Sequence, residues 1–502
     1  MRKIIVFAAV TLFSIQFQFA QNVQGVLLSD TGNISVVKVW GTHSERGFAT
    51  GYLLGEKIKS IYTGYIMPAF GSYLATAKTI IQQSQHLKID PAYMEEAKAI
   101  VNGMSFAGID VTGFDSLDVL VANSFLDLQN LSYFQNLQLD NGCSSLMSWG
   151  EATNGTALDG KSVIARHLDW STNASIINNQ AMVIHIPSEE DEQPWLLIGF
   201  AGQISALSGV NSSGLSAFQH MLSDFSGSGT LNKAYEPIWF SLRKALEKKD
   251  FNNDDQQNVL DIKDVLLQNP NGYADGYIVT ALGSSEAIED SLIALVAELA
   301  PNLPRFTFRG NEYTDNLPGD NLYAANNSIK RNDAHNYCSR YNAVVTGVED
   351  GKLIGEEENW EIMKTRSNSG SGNIQFMQFI PELNKLNLSV YKNAIPAYLN
   401  EPMSYDLSLL FSQINSDNLT SCDKSEPFNI YNKTSDTYIF EINDPKYIPA
   451  IFSVYDIAGR KIQSITSEKA LLEADLSIFA KGIYIVTMKS KGLPALSKKI
   501  IR

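Results

Sequence analysis

Gly142 and Cys143 open the stretch of this chain best equipped for chemistry, "GCSSLMSWGEATNGTALDGKSVIARHLDW". A thiol is the most nucleophilic side chain near neutral pH, and its reactivity follows its state of ionisation. The glycine before Cys143 permits a strained backbone and a close approach at the bond between them. Arg166 and Asp169 follow on the next strand-like run, a cation and an anion three positions apart. Residues three apart on a regular strand face opposite ways, so either one side chain points away or a bend at His167–Leu168 brings them together. Taken alone, Cys143 could be a small buried hydrophobe and Arg166–Asp169 a surface ion pair. Their spacing, with Gly142 in front, favours catalysis. Cys338 and Cys422 are the other cysteines, and an odd number leaves at least one thiol without a partner in the chain. Those two could pair, and sequence alone does not decide it.

Several elements must position these groups. "ISVVKVWG" reads as a strand, and "THSERGFATGYLLGEKI" as a helix with Gly47, Gly51 and Gly55 on one face for close backbone approach. Asp90 and Pro91 cap a second helix whose apolar residues recur at three- and four-residue steps, and a third runs from Phe114 to about Leu128. From Cys143 the pattern turns to strands. "CSSLMSWG" and "SVIARHLDW" form a hairpin across two turn dipeptides, followed by "AMVIHIP", "PWLLIGFAG", "ISALSGV" and "GLSAFQHML". Residues 235–300 read as largely helical, including "AIEDSLIALVAELA". "YNAVVTGV", "NIQFMQFIP" and "KLNLSVYK" read as strands again. Short alternating strands with turn signals fill the segment from about Pro427 onward.

The string from Cys143 to Trp170 resembles the start of the catalytic segment in cysteine N-terminal-nucleophile (Ntn) hydrolases. It is similar to acid ceramidase, the N-acylethanolamine-hydrolysing acid amidase and the penicillin acyltransferase-like linear amide hydrolases. Cys143-Ser144-Ser145 and then Arg166-x-x-Asp169-Trp170 carry the likeness; His167 stands where Asn is usual. "SGVNSSGLSAF" and "YAANNSIKRNDAHNYCSRYNAVV" resemble two further family stretches, and the likeness spans roughly residues 26–415. It implies an α+β fold: a four-layer αββα core, a helical N-terminal propiece and self-cleavage between Gly142 and Cys143. Cys143 would be the nucleophile, with its freed α-amine as base. Asp169 would hold that amine and Arg166 would stabilise the thiolate. Asn326, or its neighbour Asn327, would serve the oxyanion beside Arg340. Asn211, His167 and Trp170 are expected toward substrate, His167 packing or facing it rather than acting as a base. The implied activity is hydrolysis of linear, non-peptide amides, N-acyl amides such as ceramide-like or N-acyl amino compounds. Acyl transfer on the same scaffold, conjugated bile acid hydrolysis and a non-catalytic surface-binding protein are the alternatives. No metal or cofactor is implied: no histidine pair has metal-ligand spacing, and "DFNNDDQQNVLD" lacks the glycine of a calcium loop.

Bulk properties bound the rest. The chain has 502 residues, 44% of them hydrophobic, with a net charge of −15. That acidity disfavours nucleic acid and anionic membrane surfaces as partners. Arg2 and Lys3 precede an apolar run from Ile4 to Phe19 that ends at Ala20, the layout of a secretory signal peptide. No later segment reads as a membrane span. The last residues, "VYDIAGRKI", "LSIFAKGIYIVTM" and "LSKKIIR", resemble the C-terminal sorting domain of the type IX secretion system of Bacteroidota. The expected organisation is a signal peptide at 1–20, a helical segment at 21–142 and a catalytic segment at 143–415. A linker at 416–426 and a sorting domain folded as a small β-sandwich at 427–502 complete it. The expected partners are an amide substrate and the secretion machinery, and the expected location is outside the cell or on its surface.

Overall fold

The computed structural model describes residues 23–31, 33–129, 142–222, 235–285, 292–313, 317–331, 338–349, 352–367, 370–412, 427–432, 437–457, 460–480, 482–493 and 495–501. The expected signal peptide, the linker at 416–426 and Cys422 lie outside them.

Two sheets carry the body of the chain. The larger has nine strands: β1 (Gly25–Asp30), β2 (Ile34–Gly41), β5 (Gln180–Pro187), β6 (Trp195–Phe200), β7 (Ser208–Asn211), β8 (Ser216–Met221), β9 (Tyr277–Leu282), β10 (Ala294–Leu299) and β11 (Phe306–Arg309). They lie side by side in chain order, and β2–β5 is the parallel pair. The smaller contains β3 (Cys143–Ser148), β4 (Val163–Asp169), β12 (Asn321–Ala324), β13 (Asn373–Ile380), β14 (Lys385–Val390) and β15 (Met403–Asp406). Its order is β12-β3-β4-β13-β14-β15, all antiparallel, so the hairpin bearing Cys143, Arg166 and Asp169 sits inside the sheet.

Period-2 alternation assigns each face. Met147, Ile164, Met377 and Leu388 of the small sheet meet Val36, Ile184, Leu196 and Val296 of the large sheet in one apolar layer. The large sheet turns Val37, Val183, Leu197 and Val279 outward onto helices α1 (His43–Ile61), α2 (Pro91–Phe106), α3 (Ser116–Asn123), α4 (Ile238–Glu247) and α5 (Val259–Leu267). On its own far side the small sheet buries Leu146, Ala165, Tyr323 and Phe376 against α6 (Ser339–Val348) and α7 (Glu356–Arg366).

The N-terminal helices form as expected. Thr42 and Glu45 make a capping box at the start of α1, and Asp90 caps α2 by accepting from the Ala92 amide. The glycine face of α1 meets α2 backbone to backbone: a Cβ on Gly51 would lie 2.0 Å from the Ile100 carbonyl oxygen.

Two expectations fail. "YNAVVTGV" belongs to helix α6, not a strand. Its β-branched residues suggested extension, but Tyr341, Val344 and Val348 recur at helical spacing and bury one face. Residues 235–300 are not largely helical: beyond α4 and α5 they hold strands β9 (Tyr277–Leu282) and, within "LIALVAELA", β10. Leu295, Ala297 and Leu299 pack on one side while Ala294 and Val296 pack on the other. A strand buried on both faces loses its alternation and reads like a helix segment.

The C-terminal segment pairs its strands in two sheets of its own, with Ile483 packing into the apolar layer between the large and small sheets. Phe428–Asn432, Thr437–Ile442 and Leu471–Asp475 make a three-stranded sheet. Ala450–Asp456, Lys461–Ser467, Ile483–Lys489 and Leu496–Ile501 make a four-stranded one. Both sheets share a core of Phe428, Phe440, Phe452, Val486 and Met488.

The α1–α2 contact leaves no room for a side chain. Gly51→Ala is expected to lower unfolding free energy by about 1–3 kcal/mol or more, measured by urea denaturation, whereas Gly71→Ala, where nothing lies within 4 Å, tests backbone strain alone.

Candidate functional site

Cys143 begins β3 and is buried at 2% exposure. Its cross-strand partner is Leu168, and Ser145 pairs with Arg166. Paired residues share a face, so Cys143, Ser145, Arg166 and Leu168 all point toward the large sheet. Two strands of that sheet hold the Arg166 guanidinium: it donates to Ser208 Oγ on β7 at 2.7 Å and to the Gln219 carbonyl on β8 at 2.7 Å. The Phe218 ring lies under it at 5.6 Å.

Asp169 points the other way, so β4 needs no bend at His167–Leu168. The irregularity lies on the neighbouring strand, where β13 bulges between Asn373 and Gln375. That bulge sets Asn373 opposite Asp169, and its Nδ2 donates to Asp169 Oδ1 at 2.9 Å. Arg166 and Asp169 therefore flank Cys143 from the two faces of the sheet.

The peptide entering Cys143 is bonded on every side. The Gly142 carbonyl accepts from the Asp169 amide at 2.8 Å. The Cys143 amide donates to Asn326 Oδ1 at 2.9 Å. Arg340 donates through Nη2 to the same Oδ1 at 2.6 Å and through Nη1 to the Cys143 carbonyl at 3.2 Å. The Arg340 guanidinium also stands 3.8 Å from Asp169 Oδ2. Two donors converging on one side of the Asn326 amide require its oxygen there. Its Nδ2 donates to the Met221 carbonyl at 2.8 Å.

Of the residues expected in the site, Gly142, Cys143, Arg166, Asp169, Asn326 and Arg340 thus meet in one cluster. Asn326, not Asn327, is the one that bonds Cys143. Asn211 is placed elsewhere. Its Oδ1 accepts from the Ser213 and Leu215 amides and its Nδ2 donates to the Leu246 carbonyl, so it builds the β7–β8 turn and ties it to α4. His167 packs on the far face, against Phe376 and Tyr398. Trp170 lies against the N-terminal helices, its Nε1 donating to the Tyr65 hydroxyl at 3.0 Å. Asn373, Ser208 and Gln219 were not anticipated. They are polar residues inside strands, and only the sheet order brings them to Arg166 and Asp169.

Beside Trp170 the helices enclose an apolar cavity of about 60 Å³, lined by Ile61, Tyr65, Phe125, Phe200 and Trp239 among others. The electrostatics around Cys143 oppose one another. Burial leaves the thiol above its usual pKa, and the Asp169 carboxylate adds to the rise, while the Arg166 guanidinium, the Asp169 amide and Arg340 pull it down. One group elsewhere among the described residues, His43, Glu192 and Glu247, brings possible metal-ligand atoms within 4.8 Å. Arg243 bonds Glu247 at 2.8 Å and Arg46 bonds Glu192 at 3.1 Å, so guanidinium charge already occupies those carboxylates.

The comparisons with known proteins divide by segment. Residues 429–502 match the secretion system C-terminal sorting domain. Protein dcd1B of Dictyostelium discoideum is 23% identical over 232 residues, 43% of this chain and 43% of that protein. The match therefore spans less than half the length of this curated relative. Among solved structures, a Caenorhabditis elegans ortholog of N-acylethanolamine-hydrolyzing acid amidase is similar at 15% identity and a TM-score of 0.34, covering 48% of this chain and 94% of that one. A mutant conjugated bile acid hydrolase from Clostridium perfringens gives 13% and 0.32, covering 54% and 94%. Penicillin V acylase from Agrobacterium tumefaciens gives 11% and 0.33, covering 53% and 86%. The C-terminal segment is a type IX sorting domain, and it addresses the chain for export.

Burial and the charges of Arg340 and Arg166 hold His167 down to a pKa of about 3. In the unfolded chain the same imidazole titrates near ~6.5. Between those values the unfolded state binds the extra proton, so stability falls as pH drops through that window. His167→Gln is expected to remove this loss. The wild-type-minus-variant difference in unfolding free energy should change by ~1.4 kcal/mol per pH unit, as read by denaturant titrations from pH 6 to 4.

Proposed function

We propose that this chain is a self-processing N-terminal-nucleophile hydrolase that cleaves linear amides through a thioester on Cys143. The observation that carries the reading is the bonding of the Gly142–Cys143 peptide: its carbonyl faces the Asp169 amide, its N–H faces Asn326, and the thiol shares a face with Arg166. The two sheets with helices on both outer faces are then the four-layer αββα core. The described part of residues 21–142 is the propiece, and the seven C-terminal strands are a small β-sandwich.

In the processing step Cys143 Sγ attacks the Gly142 carbonyl carbon. Negative charge develops on the Gly142 oxygen, which the Asp169 N–H already contacts at 2.8 Å. The C–N bond breaks, the thiol proton passes to the departing nitrogen, and water hydrolyses the resulting thioester. The products are a Gly142 carboxylate and an amine and thiol on the same residue. That amine has a reference pKa of ~7.7–8.0, suited to take the thiol proton at mild pH. Asn326 Oδ1 keeps it in place as an acceptor, Asp169 and Arg340 set its electrostatic surroundings, and Arg166 favours the thiolate.

An amide substrate then repeats the geometry of the severed bond. Its carbonyl oxygen takes the position left by Gly142, at the freed Asp169 N–H. Asn326 Nδ2 reaches the oxyanion by exchanging its bond to the Met221 carbonyl. One donor of this kind contributes ~2.7–4 kcal/mol to barrier lowering. The amine leaves with the proton held by the Cys143 amine, and water releases the acyl group. The apolar cavity beside Trp170 supports an apolar acyl chain, and the sorting domain supports an extracellular N-acyl amide as substrate. The signal peptide at 1–20 and release from the linker at 416–426 belong to the same reading.

Intact mass and N-terminal sequencing of purified protein are expected to find a polypeptide that begins at Cys143. Cys143→Ala should remain one chain and turn over no N-acyl amide. Amide turnover by that variant at the wild-type rate, or a wild-type chain active without a Cys143 terminus, would overturn the reading. Product analysis with and without an added amine separates hydrolysis from acyl transfer.

A further inference from the structure

Asn326 lies just beyond the last ladder pair of β12, Ala324 with Ser145, so no sheet bond fixes its direction. A buried ion pair between the sheets grips the chain on both sides of it instead. Glu298 on β10 and Arg309 on β11 are both fully buried and joined at 3.0 Å from Arg309 Nε to Glu298 Oε1. Before Asn326, Arg309 Nη1 donates to the Tyr323 carbonyl at 3.0 Å. After it, Glu298 Oε1 accepts from the Ile329 and Lys330 amides at 2.8 and 3.3 Å, and Oε2 accepts from the Arg331 amide at 2.7 Å. Three successive N–H groups thus converge on one carboxylate, a turn that would open without the negative charge. The attachment points stand three residues before Asn326 and three residues after it. Burial makes this pair a costly way to hold a loop unless every lone pair is used, and removing one partner strands the other charge.

We infer that Glu298, with Arg309, is the positioning residue for Asn326, aiming its amide at the Cys143 nitrogen from the opposite sheet. The inference rests on the Ntn reading above and adds to it a group that never touches substrate. Glu298 controls rate through Asn326 and leaves substrate affinity alone. It also ties β10 and β11, the last two strands of the large sheet, to the loop that carries Asn326 beyond β12.

A kinetic double-mutant cycle tests it. Glu298→Gln keeps the shape and removes the charge; Glu298→Asp keeps the charge and shortens the reach, so one variant remains informative where the other does not fold. Each is expected to slow kcat and self-cleavage by about 10- to 100-fold, the scale of a misplaced group, with KM changed by less than about threefold. In an Asn326→Ala background the same substitutions should cost less than about twofold more, because the residue they act through is gone. Losses that multiply in the double variant, or an effect on KM alone, overturn the inference while leaving the function intact. A wild-type chain with no Cys143 terminus and no amide turnover overturns both.

Discussion

The hydrogen bond from the Cys143 amide to Asn326 Oδ1 is the constraint on which the site depends. It spans 183 positions of sequence and is 2.9 Å long. Everything around it either delivers one of its ends or keeps the oxygen of Asn326 turned the right way. The hairpin of β3 and β4 delivers the nitrogen. The loop after β12, held between sheets, delivers the acceptor. Arg340 selects the orientation, since a second donor on the same side excludes the Asn326 NH₂ group from it.

Charge is arranged around this bond by the pleat of one strand. Residues 166 and 169 of β4 face opposite ways, so the guanidinium lies on the inner face that Cys143 shares while the carboxylate lies on the outer one. A bend would have put both on one face, where they would neutralise each other. Each charge then has its own partners: Arg166 on β7 and β8, Asp169 at Asn373 of β13 and Arg340 of α6. The site is consequently the joint of two sheets, and neither sheet holds it alone.

The N-terminal helices are bound to the same joint in two ways. Apolar residues of α1, α2 and α3 share a core with Cys143, Leu168 and Trp170. A buried ionic network also crosses from His43, Arg46 and Glu96 to Glu189, Glu192 and Arg243. The two arginines and a histidine raised to about 9 by Glu192 and Glu96, against the opposing pull of burial, supply its positive charge. In the proposed self-processing both fragments keep these contacts, because cutting the Gly142–Cys143 peptide removes none of the side chains that make them. The C-terminal sheets have their own core. Among the described residues their strands pair only with one another.

Local chemistry made part of this legible from the chain alone. The capped helices α1 and α2, the β3–β4 hairpin and the alternating C-terminal strands each declare themselves within a short window, through caps, turn dipeptides and periodicity. Cys143, Arg166 and Asp169 stand out for the same reason, being close in sequence and odd in type. Beyond such windows the tertiary structure decided. β10 reads as a helix because burial on both faces erased its alternation, and α6 reads as a strand because its side chains are β-branched. Asn211 looks like a site residue but makes a turn. Asn373 and Glu298 look like nothing, because their partners come from strands and loops that only sheet order makes adjacent. A thiol's neighbours along the chain are written in the sequence; its neighbours across two sheets are set by register, which no single segment encodes.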